Sequence, residues 1–158
     1  MSDVVWGYSI LDSCNGCGAC MSICPTRAVS GGPGRGHSID LDLCIQCGAC
    51  ARVCPNSCIE DSSGNVAQRL GKRFWEIPHF DEAKCRRCGS CVGMCPPGIL
   101  ALSNDAPRMP MVSNPRLCSS CRMCSKVCIF GAVEFFPAAR GSDMLFDVHD
   151  AVHDEGDR

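Results

Sequence analysis

Apolar and polar positions along the chain alternate in short bursts, never in a long helical stripe. Tyr8-Ser9-Ile10-Leu11-Asp12, Ser38-Ile39-Asp40-Leu41-Asp42 and Met111-Val112-Ser113-Asn114 are partly alternating segments that suit strands of a few residues. Apolar pairs at Ala28-Val29, Cys58-Ile59, Ile99-Leu100 and Ala132-Val133 mark further strands. Between the two kinds of segment there is room for a loop and about one helical turn. The predicted unit is therefore strand, loop, short helix, strand, and the fold class is α+β. No stretch approaches the roughly 18 uninterrupted apolar residues that a membrane span needs.

The unit repeats, and cysteine marks the repeat. The spacing C-x2-C-x2-C-x3-C occurs at Cys14, Cys17, Cys20, Cys24; at Cys44, Cys47, Cys50, Cys54; at Cys85, Cys88, Cys91, Cys95; and at Cys118, Cys121, Cys124, Cys128. Pro25, Pro55 and Pro96 follow the first three copies, and Ile129 takes that place in the fourth. Motif starts at 14, 44, 85 and 118 leave the longest interval in the middle. The stretch there, Asp61-Ser62-Ser63-Gly64-Asn65 and a basic, aromatic run to Pro78, reads as a linker. The expected organisation is one module at 1–62, a linker at 63–78, a second module at 79–137 and an acidic tail at 138–158.

Composition narrows the chemistry. Of 158 residues 17 are cysteine, an odd number that argues against complete disulfide pairing. Met1-Ser2-Asp3-Val4-Val5-Trp6 lacks the basic-then-apolar pattern of a secretory leader, so a reducing, cytoplasmic setting is expected, where clustered cysteines mean metal or redox chemistry. Zinc sites use paired knuckles, not three evenly spaced cysteines followed by a fourth. A radical enzyme using S-adenosylmethionine would show a three-cysteine C-x3-C-x2-C motif, and none is present. There is also no nucleophile triad, phosphate loop or dinucleotide fingerprint, and no nucleic-acid partner is expected. Gly31-Gly32-Pro33-Gly34-Arg35-Gly36 reads as an inter-strand turn.

Both modules resemble bacterial-type ferredoxins that hold two 4Fe–4S clusters. The likeness covers most of residues 5–62 and 79–137, in four complete copies of the motif. It implies two tandem ferredoxin-like modules of short strands and helices packed around four 4Fe–4S clusters, in which the fourth cysteine of each motif ligates the neighbouring cluster. Carried over by position, cluster 1 takes Cys14, Cys17, Cys20 and Cys54, and cluster 2 takes Cys44, Cys47, Cys50 and Cys24. Cluster 3 takes Cys85, Cys88, Cys91 and Cys128, and cluster 4 takes Cys118, Cys121, Cys124 and Cys95. A nested partition, first motif with fourth and second with third, uses the same sixteen ligands; the shorter gaps within each module favour the tandem one. Small modules with few aromatics bury little apolar surface, so the clusters would replace a core and the apo chain is expected to be largely unfolded.

The remaining residues have plainer readings. Cys58 falls where the other repeats carry Ala28, Ile99 and Ala132, so it reads as a buried packing thiol. His37, His79, His149 and His153 have no ligand spacing and read as surface or turn residues, and Trp75 with Phe74 as an inter-module or partner contact.

The formal charge of −2 is unevenly spread: residues 1–65 carry −3, 66–140 carry +6 and 141–158 carry −5. Sixteen thiolates and four doubly positive cluster cores would take the total to about −10. The basic second module is expected to hold the higher-potential clusters and to face an acidic surface, on another subunit or head-to-tail on a second copy. With no substrate site in view, the expected function is an electron wire in a multi-subunit oxidoreductase. Its partners would be a larger catalytic subunit of pterin type and a flavin subunit or ferredoxin. The layout resembles the iron–sulfur subunits of tungsten or molybdenum enzymes of anaerobic metabolism, a tungsten-dependent aldehyde oxidoreductase among them. A free polyferredoxin shuttle and an iron–sulfur sensor or interaction module are the alternatives. A sensor would need an incompletely ligated cluster, which four complete motifs do not suggest.

Overall fold

A computed structural model describes residues 7–138. The opening hexapeptide, His149, His153 and all of the acidic tail but Ala138 lie outside the described residues. The elements run β1 (Ser9–Ile10), α1 (Ala19–Ile23), β2 (Val29–Ser30), β3 (Ser38–Ile39), α2 (Ala49–Val53), β4 (Ile59–Glu60) and β5 (Glu76–Phe80), then α3 (Ser90–Gly93), β6 (Leu100–Leu102), β7 (Pro110–Val112), α4 (Met123–Lys126) and β8 (Val133–Pro137). Each strand read from the alternation is present, shortened to the residues that find a pairing partner. Each helix is the single turn that the third-to-fourth cysteine spacing allows.

Among the described residues all four sheets are antiparallel pairs, and the two halves pair alike. In the first half β1 joins β4 with Ile10 opposite Ile59, and β2 joins β3 with Val29 opposite Ile39. In the second half β5 joins β8 from Glu76↔Pro137 to Phe80↔Val133, and β6 joins β7 from Leu100↔Val112 to Leu102↔Pro110. First-with-last and middle-with-middle pairing turns the two cysteine loops of each half toward each other, and α1 packs on α2 as α3 does on α4.

The core of the first half is built from cysteines and small aliphatics: Cys20, Val29, Cys50, Ala51, Cys54, Cys58 and Ile59. The second half has two smaller clusters, Ile77, Ile99, Cys118 and Ala138 in one and Cys91, Leu100, Cys124 and Val133 in the other. Such cores bury few large side chains, and cysteines belong to each of them.

The stretch read as linker carries structure at both ends. Val66 bridges to Glu60, and Ala67 N–H donates to the Ile59 carbonyl at 3.2 Å, extending the edge of β4. At the other end β5 begins at Glu76, inside 63–78, because Glu76, Ile77 and Pro78 pair with Pro137, Phe136 and Phe135. Pro78 lowers the strand signal of this segment, yet in a two-stranded sheet every strand is an edge and a proline can turn its missing donor outward.

Candidate metal centres

The four cysteine loops share one backbone. At the residue before the second cysteine, Gly16, Gln46, Arg87 and Ser120 have φ of 71°, 54°, 57° and 52°. At the residue after it, Gly18, Gly48, Gly89 and Arg122 have 81°, 71°, 77° and 61°. Three residues beyond the last cysteine, Arg27, Ser57, Gly98 and Gly131 are also left-handed, at 56°, 47°, 65° and 60°. A left-handed residue reverses the curl of the chain, and two flanking one cysteine wrap it around a point. Three of the four loops use glycine at the second position; the fourth carries Arg122, which is held by an ion pair to Glu76 and a stack over Phe135 at 5.2 Å.

This wrapping aims backbone N–H groups at sulfur. Ala28 N–H donates to Cys24 Sγ at 3.2 Å, Ala132 N–H to Cys128 Sγ at 3.4 Å, and Arg87 N–H to Cys85 Sγ at 3.4 Å. Such donors stabilise a thiolate or a negatively charged cluster sulfur.

The structure groups the cysteines across motifs. One cavity, beside Tyr8 and Ile39, is lined by Cys24 from the first motif and by Cys44, Cys47 and Cys50 from the second. Another, beside Pro78 and Phe135, is lined by Cys95 from the third and by Cys118, Cys121 and Cys124 from the fourth. Among the remaining motif cysteines, Cys14 and Cys17 act electrostatically on Cys20, and Cys85 and Cys88 on Cys91. Cys58 links Cys54 to the first of these groups: its Sγ lies 3.4 Å from Cys54 Sγ, and it also hydrogen-bonds Cys14. Cys91 and Cys128 share the core of the second half. Among the described residues no three metal-binding side chains converge tightly enough to hold a single ion. A four-iron cube is larger and spreads its thiolates over its corners, and the loops fit it in donor type, N–H direction and small residues.

Burial pushes the Cys50 and Cys124 thiols up to about 12, with neighbouring cysteines adding to the shift. As free thiols both would stay protonated at neutral pH; a bound cation is what makes thiolates there. Burial, with the hydrogen bond from Cys54, likewise raises Cys58 to about 12, and at 2% exposure it packs as an apolar thiol. Cys88 differs, since the Ser90 side chain and backbone lower its pKa.

His37 departs from the surface reading. It is 8% exposed, with Nδ1 3.3 Å from Cys20 Sγ and 3.9 Å from Cys14 Sγ. The glycine-rich turn makes room for it: a Cβ on Gly31 would lie 2.1 Å from the His37 ring. The run of glycines leaves room for a ring, but nothing local in the sequence names Cys20 and Cys14 as its partners. His79 sits on β5, half-buried, with its ring edge-on to Phe136 at 5.3 Å.

Two stretches match the family described as 4Fe-4S dicluster domain, residues 43–99 and 84–132, and a second family of that description matches residues 13–59. The 13–59 and 84–132 matches each take in the two motifs of one strand-paired half, whereas 43–99 joins the second motif to the third. The repeats are alike enough for sequence to fit either pairing. No curated protein matches the chain. Among solved structures it is similar to a chain of the formate dehydrogenase, heterodisulfide reductase and formylmethanofuran dehydrogenase complex from Methanospirillum hungatei, at 22% identity and a TM-score of 0.43. The match covers 79% of this chain and 48% of that one, so the chain spans about half the length of this structural relative. Among the described residues no helix is long and apolar enough to cross a membrane.

Proposed function

Because the chain belongs to the 4Fe-4S dicluster domain family, we propose that it is a non-catalytic electron-transfer subunit with four 4Fe–4S clusters, ligated in the tandem partition. Cys14, Cys17, Cys20 and Cys54 hold cluster 1; Cys44, Cys47, Cys50 and Cys24 hold cluster 2. Cys85, Cys88, Cys91 and Cys128 hold cluster 3; Cys118, Cys121, Cys124 and Cys95 hold cluster 4. The supporting observation is the pair of cavities, each lined by three cysteines of one motif and the fourth of its neighbour. When bound, such clusters accept and release one electron each. The chain's own part is to fix their positions, exclude water with the small aliphatic cores, and set their potentials through N–H donors and charge. All sixteen motif cysteines are used as ligands, which leaves no open coordination position for a substrate.

The complex served is a multi-subunit oxidoreductase whose catalytic subunit holds a pterin-bound tungsten or molybdenum, an aldehyde oxidoreductase among the candidates, with a flavin or ferredoxin as the other electron partner. Anaerobic reconstitution should give about sixteen iron and sixteen sulfide per chain and four one-electron centres by redox titration. Zinc in place of iron, or only two clusters, would count against the reading. Native purification with a large pterin-containing chain is the expected result for the wire; an isolated redox-active monomer would make the protein a shuttle instead.

A further inference from the structure

Sequence order would run electrons through the clusters as 1, 2, 3, 4, but the contacts between the halves lie elsewhere. Arg52, on α2 of the first half, donates from Nη2 both to the Cys47 carbonyl at 3.0 Å and to the Ser119 carbonyl at 3.2 Å. One guanidinium therefore ties the second cysteine loop to the fourth. Lys72 Nζ donates to the Cys118 carbonyl at 2.9 Å, on that same fourth loop. Both cations are clamped on one ring: Arg52 lies 4.6 Å and Lys72 3.8 Å from the centre of Trp75, which is 2% exposed. Trp75 is fixed in turn by its indole N–H to the Leu70 carbonyl at 2.8 Å, and Leu70 N–H returns to the Arg52 carbonyl at 2.9 Å. Cys47 and Cys121 are near enough to act on each other electrostatically. The exposed cysteines are Cys17 and Cys88, ligands of clusters 1 and 3 in the proposed partition.

We infer that the halves are joined electronically between clusters 2 and 4, so that the conduction order is 1, 2, 4, 3, and that Arg52 and Lys72, stacked on Trp75, are the positioning residues of this junction. The inference rests on the four-cluster reading. One electron enters at an end from the reduced catalytic cofactor and one leaves at the other end to the flavin or ferredoxin. Each internal step oxidises one centre and reduces the next by one, with no bond made or broken. Arg52 acts on Cys47 and Lys72 on Cys118, so each half of the junction carries one positive charge that favours the reduced, more negative cluster. Exposed Cys17 and Cys88 mark the faces where outside partners approach.

The test uses the full chain, loaded anaerobically and followed by redox titration with electron paramagnetic resonance. Signals are assigned through Cys17→Ser, Cys47→Ser, Cys88→Ser and Cys121→Ser, each altering one centre. In the Arg52→Met, Lys72→Met double variant iron content should be unchanged. The potentials of clusters 2 and 4 should fall while those of 1 and 3 stay, and the magnetic interaction between reduced 2 and 4 should weaken. Arg52→Lys should restore part of both effects. Cys121→Ser should alter the interaction felt by cluster 2, and Cys88→Ser should not. A shift spread evenly over all four centres would overturn the junction, as would an interaction at cluster 2 that responds to Cys88→Ser and not to Cys121→Ser. Binding of too little iron for four clusters by the unaltered chain would undo the four-cluster reading, and the junction with it.

Discussion

Gly16 and Gly18 stand two residues apart in one loop and carry different constraints. Both are left-handed, but a Cβ on Gly18 would meet nothing within 4 Å, whereas one on Gly16 would meet the Arg35 carbonyl oxygen at 2.4 Å and that of Gly32 at 2.8 Å. Gly18→Ala should therefore cost about 1–2 kcal/mol of backbone strain and keep its iron. Gly16→Ala should displace the turn and reduce iron content, and iron analysis with denaturation midpoints separates the two. The His37 contact makes a second residue-scale prediction. With the proton on Nδ1, its N–H to Cys20 sulfur favours the more negative, reduced state, so His37→Ala should lower the potential of cluster 1 by some tens of millivolts. Gly31→Ala, which drives the ring from its place, should do the same, and redox titration with unmoved cluster 1 in both variants would refute this role. The sixteen motif cysteines were legible because their spacing is a local property. His37 was not, because its partners come 17 and 23 residues earlier and only the fold brings them close.

At the scale of elements, strands of two to five residues cannot persist alone and depend on what they cover. Ile59 of β4 is buried among Cys20, Cys50, Cys54 and Cys58 and pairs with Ile10. Ile59→Ala should cost about 2–5 kcal/mol and should loosen the core around Cys54, measured as an earlier loss of cluster absorbance in denaturant. An unchanged midpoint would mean that the clusters alone hold this half. Most strands were readable from alternation and apolar pairs. β5 was not, since Pro78 interrupts it and its support is Phe135 and Phe136, more than fifty residues away in sequence.

At the scale of the whole molecule, the proposed clusters would stand in for a large apolar core. With cores of cysteine and small aliphatics, removal of iron by a chelator under reducing conditions should unfold the chain, read as loss of far-ultraviolet circular dichroism. A chelated chain that keeps its native spectrum would show that side-chain packing suffices. The charge asymmetry predicts higher potentials for clusters 3 and 4, because positive charge favours the reduced form; exposed Arg86, Arg87 and Arg122 lie in their loops and exposed Lys126 on α4. A titration placing those two centres lowest would refute it. The sequence by itself determined the repeat and the sixteen thiols, since both follow from local spacing. Tertiary structure decided which motifs face each other, that His37 reaches the Cys20 sulfur, and that Arg52 and Lys72 meet over Trp75. Repeats of one spacing carry no local instruction about their partners; that choice is made by strand pairing and by the burial of a few side chains between the halves.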